Sequence, residues 1–105
     1  MTSPIRLTAP TRDVLSVLLE AAAEGTPTYG LQICQMTGHG SGTVYPIIRR
    51  LEGIGWVRSY WDESETTGPR KRLLEMTADG RGSAAEALSN RSAKLSSHWG
   101  WTAAR

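Results

Sequence analysis

Nothing in this chain of 105 residues approaches the ~20 consecutive apolar residues that a membrane-spanning helix requires. No membrane partner is expected. Cysteine occurs once, as Cys34, which rules out an intramolecular disulfide and leaves no second thiol at metal-ligand spacing. The opening "MTSPIRLTAP" lacks a basic start followed by an apolar run, so it does not read as a signal peptide. A reducing cytoplasm fits these absences best. Histidine is almost as scarce: His39 and His98 have no paired carboxylates and no second ligand at metal spacing, so neither a metal nor another cofactor is expected. One further absence is local. No acidic residue occurs between Gly25 and Leu51, and none between Thr66 and Leu74.

Those two stretches are basic instead. Arg49 and Arg50 close the first, and Arg70, Lys71 and Arg72 sit in the second beside a Thr-Thr-Gly-Pro turn, while Asp62, Glu63 and Glu65 gather between them. A net charge of +2 says little about partners, but its distribution says more. Two basic patches without acids make a footprint for a polyanion, with ordinary solvated charge as the plain alternative. At this length the chain is one domain with a small core.

The apolar spacing predicts a first helix over residues 9–24. Thr8 serves as its N-cap, Pro10 lies in the tolerated first turn, and Asp13 complements the positive end of the dipole. Val14, Leu15, Leu18 and Ala22 form one face, flanked by Val17 and Leu19, and Gly25 ends the helix. "GTPTYG" is a loop by composition. A short second helix follows from Tyr29 to Thr37, with Leu31, Ile33, Cys34 and Met36 as its apolar material, and "GHGSG" forms a tight turn. The third helix runs from about Gly42 to Ile54 and stops at Gly55. Val44, Ile47, Ile48 and Leu51 share one side, yet Pro46 interrupts the pattern and lacks a backbone donor. With Ser41 as N-cap it is the fifth helical residue, and with Thr43 it falls in the first turn. Both place it at a helix N-terminus.

The period then changes. "WVRSYWDE" alternates as a strand, with Val57, Ser59 and Trp61 on one face, and "RKRLLEMT" returns with Leu74 and Met76 inward, making a β-hairpin with a long loop. Thr77 caps a last helix whose seam is Ala85, Leu88, Leu95 and Trp99. The fold expected is α+β, mostly α: a winged helix-turn-helix over residues 1–77 and a C-terminal dimerisation helix with its tail over 78–105.

Rotating the third helix brings Gly42, Tyr45, Pro46, Arg49 and Arg50 to its outward side. An arginine can bond a guanine edge bidentately or a phosphate, and a tyrosine can reach a phosphate oxygen. Arg70, Lys71 and Arg72 on the ribbon would reach the sugar-phosphate backbone or the minor groove, with alternation turning about two of the three that way. Catalysis has little support. "GHGSGT" has glycines at alternate positions before a helix, but a dinucleotide site needs a preceding strand and a P-loop needs a Gly-Lys pair. His39 is a turn residue or a DNA contact.

"SGTVYPIIRRLEGIGWV", followed by a hairpin containing "GPRKR" and "MT", resembles the PadR family of bacterial transcriptional regulators, especially its short members with one C-terminal helix. The resemblance covers about Leu7 to Gly82. It implies a winged-helix fold, a homodimer and a palindromic operator, with Ser41, Thr43, Tyr45 and Arg49 in the DNA-contacting helix and Arg70 and Lys71 in the wing. Family members usually carry His-Gly-Tyr-Glu where this chain has Tyr29-Gly30-Leu31-Gln32, so Tyr29 is the aromatic left to make a backbone contact. Glu75 stands at an often basic position.

Of the four tryptophans, Trp56 is expected in the core, Trp61 beneath the wing, and Trp99 and Trp101 at an interface. The seam ending at Trp99 is too short to fold alone and is assigned to dimerisation. The expected partners are double-stranded DNA and a second copy of the chain, with an unidentified small-molecule effector as a further possibility. The function expected is that of a sequence-specific DNA-binding transcriptional regulator, most simply a homodimeric repressor. Its rivals are a winged-helix protein-interaction module and a ligand sensor with its pocket at the dimer interface.

Overall fold

The computed structural model describes residues 7–63 and 71–99, and of residues 90–99 only the backbone. The elements follow in the order α1 (Ala9–Glu24), β1 (Thr28–Tyr29), α2 (Gly30–Thr37), α3 (Ser41–Gly53), β2 (Val57–Trp61), β3 (Arg72–Met76) and α4 (Ala78–Trp99). Among the described residues, four helices accompany one small antiparallel sheet of order β1-β3-β2. None of the described helices is long and apolar enough to cross a membrane.

α1 begins and ends as its sequence dictates. The Thr8 hydroxyl accepts the Thr11 N–H at 3.3 Å, and the N–H groups of Gly25 and Thr26 return to the Ala22 and Ala21 carbonyls. Val14, Leu15, Val17 and Leu18 are buried, with Leu19 and Ala22 leaning on the same core. Asp13 corrects one expectation. It lies past the first turn and meets His39 Nε2 at 2.8 Å, tying the α2–α3 turn to α1.

α2 carries less core than its composition suggests. Ile33 is fully buried and Cys34 partly so, whereas Leu31 and Met36 are 57% and 56% exposed. One eight-residue helix turns a single narrow face inward, and Leu31 and Met36 fall outside it. The loop reading of "GTPTYG" also needs correction. Thr28 and Tyr29 pair with Leu74 and Leu73, adding a third strand to the expected hairpin.

α3 buries Val44, Ile47, Ile48 and Leu51 as its spacing predicts. Its cap is Gly40, not Ser41 or Thr43: the Gly40 carbonyl accepts the N–H groups of both Thr43 and Val44. Pro46 is therefore the sixth helical residue, inside the helix, and the Gly42 carbonyl lacks its helical donor. Gly42 is exposed, so water can satisfy that oxygen. At the other end Gly55 adopts φ 82°, its N–H bonds the Glu52 carbonyl, and Trp56 N–H reaches back to Leu51. This Schellman closure needs a left-handed residue at position 55 and draws Trp56 into the core beside Leu51.

β2 and β3 pair in register from Val57↔Met76 to Trp61↔Arg72. Val57, Leu74 and Met76 face the core. Whether Trp61 packs beneath the wing turns on loop residues 64–70, which lie outside the described residues. Trp61 occupies the last rung, away from the core-backed residues, and is 52% exposed.

Thr77 joins the hairpin to α4. Its N–H donates to the Trp56 carbonyl at 2.9 Å, its hydroxyl donates to the Gly55 carbonyl at 2.7 Å, and the same hydroxyl accepts the Gly80 N–H at 2.9 Å. Gly80 then passes so close to Trp56 that a Cβ there would lie 2.1 Å from the Trp56 carbonyl oxygen. Ala84 is fully buried, Ala87 and Leu88 lean on the core, and Ala85 is exposed. The side chains of Leu95 and Trp99, like Trp101, lie outside the described residues.

Gly80→Ala would press a methyl group against main chain that cannot rotate away. The expected cost is about 3 kcal/mol, or on the order of 10–20 °C in melting temperature, read by thermal unfolding followed by circular dichroism.

Candidate nucleic-acid interface

α3 is seated by its four buried residues, and that seating decides what it shows to solvent. Ser41, Gly42 and Thr43 form an exposed first turn, followed by exposed Tyr45, Arg49 and Arg50. Tyr45 and Arg49 are neighbours at four-residue spacing, whereas Arg50 lies about 100° further round the helix.

A cleft of about 340 Å³ opens beside this face, between the start of α2, one side of α3 and the beginning of β3. Tyr29, Tyr45, Arg49, Lys71 and Arg72 line it together with Gly30, Leu31 and Glu52. Five residues expected to meet nucleic acid, from three separate elements and a linker position, therefore surround one depression. Lys71 Nζ lies 4.6 Å from the centroid of the Tyr29 ring, close enough for a cation–π contact. Tyr29 takes its place because it ends β1 and forms the N-cap of α2.

Arg72 is held differently. Its Nε donates to Ser59 Oγ at 2.9 Å, and Nη2 lies 3.5 Å from Glu52 Oε2. It links the loop end of the β2–β3 ladder to α3 across the cleft. The pair is partly solvated, so its value lies in orientation more than in stability. Glu75 lies opposite Arg58 in the ladder and pairs with it through Arg58 Nη2, and the Arg58 guanidinium also lies 5.5 Å from the Tyr60 ring. An acid at this position is thus answered within the ribbon itself.

His39 is less available than a free turn histidine. Its ring faces Asp13, and its backbone N–H donates to the Thr37 hydroxyl at 3.3 Å. Arg70 lies outside the described residues. Sequence reasoning missed Glu52 and Leu31 as cleft residues. Glu52 could have been found, since it lies three residues beyond Arg49 on the same side of α3. Leu31 had one signal, since it stands where the family motif carries a tyrosine, but its apolar side chain argued against a contact there.

The arrangement offers donors around a concave surface whose charged lining is Arg49, Lys71 and Arg72 against Glu52. It suits the capture of a phosphodiester backbone and the reading of base edges.

Solved structures share this architecture. ZitR of Lactococcus lactis, in a mutant form, matches with a TM-score of 0.68 at 16% identity, covering 91% of this chain and 60% of that one. A transcriptional regulator homologue from Pyrococcus horikoshii matches with a TM-score of 0.66 at 24% identity, covering 83% and 81%. A protein of Archaeoglobus fulgidus gives 0.66 at 17% identity, covering 84% and 90%. At these identities the likeness establishes the winged-helix fold, and the chain spans about 60% of the length of ZitR. Among curated proteins no sequence match is found. The sequence itself matches the transcriptional regulator PadR-like family over residues 18–86, from the middle of α1 to the first turns of α4. That span holds the whole helix-turn-helix and ribbon and is well over half of the chain, so this protein belongs to the PadR-like family of transcriptional regulators.

Proposed function

We propose that the protein is a homodimeric repressor that reads a palindromic operator in double-stranded DNA. The observation that carries this reading is the gathering of Tyr29, Tyr45, Arg49 and Lys71 around one cleft beside the exposed first turn of α3. α3 would enter the major groove, with Ser41, Gly42, Thr43, Tyr45 and Arg49 toward base edges and Arg50 toward the flanking phosphates. Lys71 and Arg70 would follow the backbone or minor groove from the ribbon. Arg72, braced by Ser59 and Glu52, sets the angle between ribbon and helix.

In the dimer, two copies of α3 would enter successive major grooves ~34 Å apart on one face of the duplex. Residues 1–77 would do the reading and residues 78–105 the pairing, through the outer part of α4 and its Leu95 and Trp99. The first turns of α4 also serve the core through Ala84 and Leu88, while Ala85 is the exposed one of the two seam residues whose side chains are described. Cytoplasmic residence goes with this function.

Selection of bound duplexes from a random pool tests the reading directly. A recovered palindrome is the expected result, and no enrichment at low salt would overturn it. On the selected site, Arg49→Ala should cost roughly 1–3 kcal/mol and relax base preference at one position of each half-site. Lys71→Ala should instead weaken binding to all duplexes alike and reduce the salt slope by about one unit. A chain ending at Ser89 keeps Ala84 and Leu88 but loses Leu95 and Trp99. It should sediment as a monomer, while a persistent dimer would move the interface elsewhere.

A further inference from the structure

Gly30 is a glycine without a backbone reason. It lies at the first position of α2, its φ is not positive, and alanine ordinarily outranks glycine in a helix. Gly40, Gly42, Gly53 and Gly82 have open space where a Cβ would stand. At Gly30 that space is filled. A Cβ would lie 2.4 Å from Tyr45 Cε1 and 2.6 Å from both Cζ and the phenolic oxygen.

The occupant therefore differs from the one at Gly80. There the obstacle is main chain, and the fold itself depends on the close approach. Here it is the far end of one side chain that is 43% exposed and has room to swing outward. A methyl group at position 30 would leave α2 standing and turn the Tyr45 ring away from it.

We propose that Gly30 is a positioning residue for Tyr45: by withholding a side chain it lets the Tyr45 ring lie against the start of α2, which fixes where the phenol stands in the cleft. A tyrosine has only two side-chain torsions, so one flat contact removes most of its freedom before DNA arrives. The ordering cost is then met in the free protein instead of at binding. This inference rests on the DNA-binding reading for its functional consequence, but not for its steric basis.

A double-mutant cycle on the full chain separates the two, using Gly30→Ala, Tyr45→Ala and the pair. Without DNA, Gly30→Ala should lower the melting temperature in the presence of Tyr45 and leave it unchanged or raised when residue 45 is alanine. With DNA, binding of a selected duplex is followed by fluorescence anisotropy. Gly30→Ala should weaken it about tenfold, as expected for one displaced contact, and should have no effect in the Tyr45→Ala background. If Gly30→Ala alone fails to fold, Tyr45→Ala must restore folding.

Equal effects of Gly30→Ala in both backgrounds, or full duplex affinity in Gly30→Ala, would overturn the proposal. If the unaltered protein binds no duplex at all, the DNA-binding reading falls, and the functional half of the proposal with it. The thermal cycle would still decide whether Gly30 holds Tyr45.

Discussion

The carbonyl of Trp56 is the point on which the rest of the molecule turns. It lies just past the Schellman closure of α3, accepts the Thr77 N–H, and touches the backbone of α4 at Gly80. Four elements meet there: the end of α3, the start of β2, the end of β3 and the first turn of α4. The Thr77 hydroxyl completes the junction by donating to Gly55 and accepting from Gly80. The direction in which α4 leaves the domain is thereby set by the same few atoms that end α3. In the proposed dimer this corner would join the pairing helix to the reading helix, as a fixed half-site spacing would require.

A second brace acts on the opposite side of α3. Glu52 faces the cleft, and its partner Arg72 is also held by Ser59. Cationic side chains on two elements repel each other when left unanswered. One carboxylate between α3 and β3 offsets that repulsion and holds ribbon and helix together at modest cost in positive potential. The pairing of Arg58 with Glu75 does the same within the ribbon. The acids near the interface therefore serve as internal counterweights, and the surface around Tyr45, Arg49 and Lys71 keeps its sign.

Much of this was legible in the chain. The limits of α1, the buried stripe of α3, the alternation of the hairpin and the Thr77 cap each follow from local chemistry that a short window contains. What escaped depends on distance in sequence. β1 has two residues and no period, so only its pairing with Leu73 and Leu74 reveals it. Asp13 looked like a dipole residue because its partner His39 is 26 residues away. Gly40 was passed over as a cap because the serine and threonine after it offered better side chains, although its carbonyl was all that the turn required. Leu31 and Met36 looked like core because apolar residues on a short helix show their orientation only when the neighbouring helices are in place.

β1 also governs how the domain assembles. Every helix, and the β2–β3 ribbon, can form from contacts close along the chain. The pairing of Thr28 with Leu74 instead closes a loop that contains α2, α3 and β2. Closing so long a loop carries an entropic penalty that must be met before its few hydrogen bonds return anything. The smallest element of the fold is thus one of those held entirely by residues distant along the chain. The place of Tyr29 at the cleft therefore rests on a pairing that spans most of the domain.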